Sequence, residues 1–215
     1  MAATTLNSVS IAGSSRKSTG TRELSAEERR EYAALSHDGR RRDWLAGRRA
    51  AKKAVSKHCA VPSDQIRVVG QTNGAPLVVL RDRESWNPLP VSISISHHDG
   101  VGLAAVADSP TRVGVDLARL GEIDRDHHRY FLTPAELMLV DRIDATVLWA
   151  LKEAAWKALA LSPERTFTSL ELVFDETDEV RGIRLDGRFI AATARSWRFS
   201  RDLIGVAVHV GTEVS

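Results

Sequence analysis

A chain of 215 residues, 43% hydrophobic and 27% charged, has the composition of an ordinary globular protein, long enough for one large domain or two small ones sharing a core. No apolar run is long enough to cross a bilayer and Met1 to Gly20 lacks the continuous apolar core of a signal peptide, so a cytoplasmic protein without a membrane partner is expected. The lone cysteine, Cys59, excludes an intrachain disulfide and fits a reducing compartment; beside the end of a helical run it reads as a small packed side chain.

In chain order, Met1 to Gly20 is rich in Ser and Thr, with no acid before Glu23. A transit peptide shares that composition; the expectation is a flexible tail with one short strand, Ser8 to Ala12. Ser25 to Arg30 reads as a helix start, with Ser25 as cap and Glu28 as capping-box partner. A second helix is expected from about Asp38 to Lys57, with Trp44, Leu45, Ala51, Ala54 and Val55 on one face and the basic residues on the other. Those bases are Arg40, Arg41, Arg42, Arg48, Arg49, Lys52, Lys53 and Lys57, against the single acid Asp43. Such a block fits an anionic partner (nucleic acid, acidic protein or phosphorylated small molecule) or a solvated helix face.

Asn73-Gly74-Ala75-Pro76 is a turn, and Leu77 to Leu80 a short buried strand. Val91 to Ser96 alternates as a half-buried strand, His97 to Gly100 turns, and Val101 to Ala107 returns as the hairpin partner. Ser109-Pro110-Thr111 breaks the chain before another strand, Val113 to Leu117. Thr133-Pro134-Ala135-Glu136 opens a helix, and a longer helix spans about Asp144 to Leu159. Four strands close the chain: Leu170 to Phe174, Val180 to Leu185, Phe189 to Trp197 and Leu203 to Val210. Both halves mix helix and strand, which predicts an α+β fold: a flexible segment 1–20, an N-terminal subdomain 21–110 and a C-terminal subdomain 111–215.

Three segments carry chemistry. Glu153 and Lys157 are four residues apart on a helix, flanked by Trp149, Ala150, Ala154 and Trp156. Their ordinary reading is an exposed stabilising pair; among apolar neighbours they also suit a phosphate-and-metal site, the carboxylate as Mg²⁺ ligand or base and the ammonium against phosphate. Asp116 stands in the apolar strand Val113-Gly114-Val115-Asp116-Leu117, as an edge acid paired to Arg119 or as a metal ligand. Ser96 and His97 end a strand; neighbours in a strand face opposite ways and no nucleophile elbow surrounds the serine, so the histidine suits a phosphate contact better than a hydrolase pair. The doublets His97-His98 and His127-His128 lack zinc spacing. Gly100-Val101-Gly102-Leu103-Ala104-Ala105 matches a dinucleotide pattern but is followed by Pro110 before any crossover helix, and is rejected.

Together these segments resemble the two-subdomain, surfactin-activating type of 4′-phosphopantetheinyl transferase. That family carries a Gly-Arg-x-x-x-Lys helix, a Gly-Lys-Pro turn, a Ser-His at a strand end, a Gly-x-Asp-x-Glu strand and a Trp-x-x-Lys-Glu-Ala-x-x-Lys helix. Here they stand, in the same order, as Gly47-Arg48 to Lys52, Gly74-Ala75-Pro76, Ser96-His97, Gly114-Val115-Asp116-Leu117-Ala118 and Trp149 to Lys157. Phe131 to Glu136 also resembles the family's approach to its penultimate helix, and the likeness covers about residues 22–210.

The resemblance implies a fold of two pseudo-symmetric α/β subdomains, each a small sheet with packed helices. It implies Mg²⁺ on Asp116 and Glu153, catalysis by Asp116, Glu153 and Lys157, and coenzyme A phosphates held by Arg48, Lys52, Ser96, His97 and Lys157. The implied reaction transfers phosphopantetheine to a serine of an acyl or peptidyl carrier protein, releasing 3′,5′-ADP, in a monomer. Ala118 replaces the second strand acid and Ala75 the turn lysine. Both replacements suit the alternative, a relative that binds coenzyme A or a carrier protein without transfer. A nucleic-acid binder ranks last, since no reading motif or aromatic platform accompanies the basic helix.

Overall fold

The structure, a computed structural model, describes residues 9–15, 20–72, 74–83 and 85–211. The fold is mixed α and β, with three antiparallel sheets, and the chain divides into two compact units, Met1–Pro110 and Thr111–Ser215. Among the described residues no helix is long and apolar enough to cross a membrane.

The N-terminal unit opens on strand β1 (Val9–Ser14), displaced from the expected Ser8 to Ala12; Ser8 lies outside the described residues. β1 is bonded along its whole length to a later strand, Val9 opposite Ala107 and Ser14 opposite Gly102, so the part of the tail it occupies is built into a sheet. Helix α1 (Ala26–Ala34) carries the expected capping box, and α2 (Asp38–Cys59) follows. Strands β2 (Ile66–Gly70), β3 (Pro76–Asp82) and β4 (Ser85–Pro88) form one three-stranded sheet; β5 (Val91–His98) and β6 (Val101–Asp108) join β1 in another, ordered β1-β6-β5.

Sequence periodicity missed β2 and β4, whose five and four residues are too short to show a period. β4 ends in Pro88, which suits its place at a sheet edge. β5 departs from the expected half-buried pattern: Ser94 and Ser96 are buried on the face opposite Ile93 and Ile95, so small hydroxyl side chains stand where polar, solvated ones were expected.

α2 covers the core through Ala50, Ala54 and Val55, which meet Ile66, Val68, Val78, Ala104 and Val106. Its basic residues do not form a single outer face. Arg49 donates to the Gly20 carbonyl, Lys52 is sealed against Glu28, Arg41 bonds the Leu35 carbonyl, and of the block only Arg40, Arg42, Lys53 and Lys57 are exposed. A long cationic side chain is drawn inward wherever a carbonyl or carboxylate waits for it, which helix periodicity does not record.

The C-terminal unit runs β7 (Arg112–Arg119), the single turn α3 (Pro134–Leu137), α4 (Ala145–Leu159), then β8 (Leu170–Phe174), β9 (Val180–Leu185), β10 (Arg188–Arg198) and β11 (Leu203–Val210). Its five strands are ordered β7-β11-β10-β9-β8. Ala150, Ala154 and Ala158 of α4 lie over Val206 and Val208 of β11 and Leu170 and Ile183 of β8 and β9. The approach is close enough that a Cβ on Gly114 of β7 would overlap the Ala154 carbonyl; in the N-terminal unit a Cβ on Gly102 of β6 would overlap the Ala46 carbonyl of α2. Only glycine admits helix backbone to strand backbone in this way.

Candidate functional site

In the C-terminal unit Asp116, Glu153 and Lys157 come together. β7 alternates, so Gly114, Asp116 and Ala118 share the face covered by α4. On α4 the pair Glu153 and Lys157 lies between the alanine strip and an aromatic one: Trp149 and Trp156 both stack on Phe167, at 4.7 and 4.6 Å between ring centres, and Trp149 meets Phe131 edge-on at 5.0 Å. Lys157 Nζ lies 2.7 Å from Asp116 Oδ1, donates to the Val115 carbonyl at 3.3 Å, and stands 3.9 Å from Glu153 Oε2. The Asp116 side chain is 10% exposed and that of Glu153 25%. Burial pushes the Glu153 carboxyl above its ordinary value; Lys157 opposes the rise and Asp116 adds to it.

The donor set fits a small divalent cation. Two carboxylates are the usual protein contribution to Mg²⁺, whose other positions go to water and phosphate oxygens, and here the Lys157 ammonium already stands as a cation beside both. Among the described residues no group of three or more His, Cys, Asp or Glu side chains is gathered, and Ala118 is packed into the apolar cluster with Ala150 and Ala154. Lys152, inside the same helical motif, points to the opposite side of α4 and is buried against Glu136.

In the N-terminal unit a cleft of about 220 Å³ is lined by Trp44, Gly47, Arg48, Gly74, Pro76 and His97, among others. Arg48 lies over the Trp44 ring at 4.8 Å and reaches Glu31 at 3.5 Å, its side chain 14% exposed. Its Nε is buried with no hydrogen-bond partner. Burial lowers the Arg48 pKa, with Glu28 and Glu31 opposing. A largely buried guanidinium with one long carboxylate contact and an unpartnered Nε–H could accept an anion.

Of the residues expected beside Arg48, His97 shares the cleft and Ser96 does not; Ser96 is buried on the opposite face of β5. Lys52 is a correction. Its ammonium is 2.8 Å from Glu28 Oε2 and bonds the Glu23 carbonyl, with the side chain 1% exposed, so it neutralises a carboxylate of the fold rather than a ligand phosphate. Asp43 was passed over in the sequence as a lone acid among bases; its carboxylate meets the turn after His97. No family model and no curated protein sequence matches the chain.

Proposed function

We propose that the protein transfers the 4′-phosphopantetheine arm of coenzyme A to a serine of an acyl or peptidyl carrier protein, with Mg²⁺ held by Asp116 and Glu153, and that its two units are the subdomains of the phosphopantetheinyl transferase fold. The observation that carries the reading is the Asp116–Lys157–Glu153 cluster: a buried and a half-buried carboxylate beside one ammonium, on the strand and helix whose motifs resemble that family. The Arg48 cleft supports it as a seat for the anionic nucleotide end.

When bound, Mg²⁺ would neutralise pyrophosphate charge and hold the reacting phosphate in line. Glu153, its carboxyl already raised by burial, takes the proton of the serine hydroxyl. The serine oxygen forms a bond to the β-phosphorus as the bond to the departing 3′,5′-ADP oxygen breaks. Lys157, held by Asp116 and the Val115 carbonyl, sets its positive charge where the pyrophosphate charge grows.

Incubation with coenzyme A, Mg²⁺ and a panel of apo carrier proteins, read by mass spectrometry of the carrier, tests the reading. One phosphopantetheine is expected on at least one carrier, and Glu153→Gln is expected to cut the rate by on the order of 10³-fold. A fully active Glu153→Gln places the chemistry elsewhere. Coenzyme A binding without mass gain on any carrier supports instead the non-transferring relative, which the apolar packing of Ala118 favours.

A further inference from the structure

The proposed function gives work to Arg48 but to neither of the two charged side chains gathered beside it. Glu31 lies on α1 one turn after Glu28, and Arg67 lies on β2, where Ile66 and Val68 are buried on the opposite face. Each oxygen of the Glu31 carboxylate accepts one hydrogen bond: Oε2 from Arg48 Nη2 at 3.5 Å, Oε1 from Arg67 Nη2 at 3.3 Å. One carboxylate thus stands between two guanidinia.

The two arginines are an anion site that this carboxylate fills poorly. A well-matched carboxylate grips one guanidinium through two parallel bonds of about 2.7–2.9 Å. Here it reaches each arginine by a single, longer contact. The Nε–H of Arg48 and that of Arg67 are both buried without a hydrogen-bond partner. Two positive charges face one negative charge, because Glu28, the other carboxylate acting on Arg48, is matched by Lys52. The Arg48 and Arg67 side chains are 14% and 21% exposed and that of Glu31 is 40% exposed. The guanidinia are therefore largely desolvated, while the carboxylate has a way out into water. An ion pair with so open a partner is weak. A phosphate monoester brings about two negative charges and three strong acceptor oxygens, which match the excess charge and offer acceptors that Glu31 lacks.

We propose that Glu31 is an internal placeholder: its carboxylate occupies a phosphate seat formed by Arg48 and Arg67, and a phosphate monoester entering by the Arg48 cleft displaces it. This deepens, and rests on, the reading that the cleft takes the phosphate-bearing end of coenzyme A. Arg48 lines the cleft beside Trp44, and Arg67 is reached through the position that Glu31 vacates. Until the ligand arrives, the placeholder partly neutralises two largely buried charges. An anion with one charge and two acceptors gains nothing by the exchange, so the seat favours phosphate monoesters over carboxylates.

The competing role is a brace: Glu31 would do no more than tie α1 to α2 and β2. Calorimetric titration with 3′,5′-ADP separates the two. A seat filled by its own carboxylate about nine-tenths of the time binds about tenfold more weakly than an open one. Glu31→Gln is therefore expected to tighten binding about tenfold. Asp64→Asn, which removes an exposed acid of the same unit, makes the same change in net charge and is expected to leave the affinity as it was. Arg67→Ala is expected to weaken binding about tenfold, the scale of one charge-assisted hydrogen bond. A Glu31→Gln that binds no tighter than wild type, an Asp64→Asn that tightens as much, or an Arg67→Ala of wild-type affinity overturns the proposal. A second readout leaves both arginines in place. The Glu31 carboxyl ¹³C resonance, assigned by its loss in Glu31→Gln, should shift as inorganic phosphate is titrated into the wild type; an unmoved resonance overturns the proposal as well. Carrier loading in the transfer assay is read independently. A protein that loads carriers but shows no Glu31 response overturns only the placeholder, and one that loads none yet shows the response to inorganic phosphate overturns only the proposed function.

Discussion

The two units hold their central helices with the same device. In the N-terminal unit Glu28 closes the capping box of α1 through the Ser25 N–H, takes the Lys52 ammonium of α2 on the same oxygen, and accepts the Val68 N–H of β2 on the other. In the C-terminal unit Glu136 does the same with the Thr133 N–H, the Lys152 ammonium of α4 and the Leu172 N–H of β8. Each lysine also donates to a backbone carbonyl, of Glu23 or Leu170, and all four charged side chains are fully buried. The units part company on the rest of the helix. α2 turns Arg48 toward a cleft and Asp43 toward the β5–β6 turn, whereas α4 sets Glu153 and Lys157 against a strand aspartate. A frame stabilised by one repeated interaction thus leaves the remaining helix surface free to differ, and the charged chemistry differs with it.

The hardest test of that comparison is to remove the lysines. Lys52→Met and Lys152→Met each strand a buried glutamate, and each should cost about 3–5 kcal/mol in urea unfolding. A large loss in one unit and a negligible one in the other would mean that the two pairs only look alike. Next come the glycines at the helix–strand contacts. Gly102→Ala and Gly114→Ala should each destabilise by about 3 kcal/mol through backbone overlap, with Gly114→Ala also reducing the proposed transfer, because Asp116 lies two residues along the same face of β7. Smaller again, Ser25→Ala and Thr133→Ala should each cost about 1 kcal/mol, as matched losses of a capping side chain.

The smallest effect should appear in the C-terminal unit alone. Burial lowers the pKa of His209 on β11, and its Nε2 is buried without a hydrogen-bond partner. A depressed histidine is neutral in the folded state while the unfolded chain gains a proton, so its contribution is full above the ordinary histidine value and is lost as pH falls through the lower, folded one. The melting temperature should therefore drop less between neutral and mildly acid pH in His209→Asn than in the wild type. An identical slope would assign the acid sensitivity to other groups.

Much of the fold was legible because it is local. Both capping boxes, the turn of the β5–β6 hairpin and the period of α4 depend on residues within four positions of each other, and all were readable from periodicity and turn chemistry. The i, i+4 pair Glu153 and Lys157 was legible for the same reason. That Glu28 and Glu136 go on from their caps to lysines and strands well separated in the chain was not, because a capping box occupies only part of a carboxylate and gives no sign of where the rest points. The basic block misled in the same way: Arg49 and Lys52 carry the right charge in the right segment, yet interior acceptors claim them.

The sequence by itself determined the order of all the numbered elements but β2 and β4, the helix starts and the grouping of acid and base along α4. Only the tertiary structure decided which charged side chains are exposed to solvent and which are part of the frame. Helix and strand periods arise from backbone geometry and are written in neighbouring residues, whereas desolvation depends on which distant segment covers a side chain and what partner it brings.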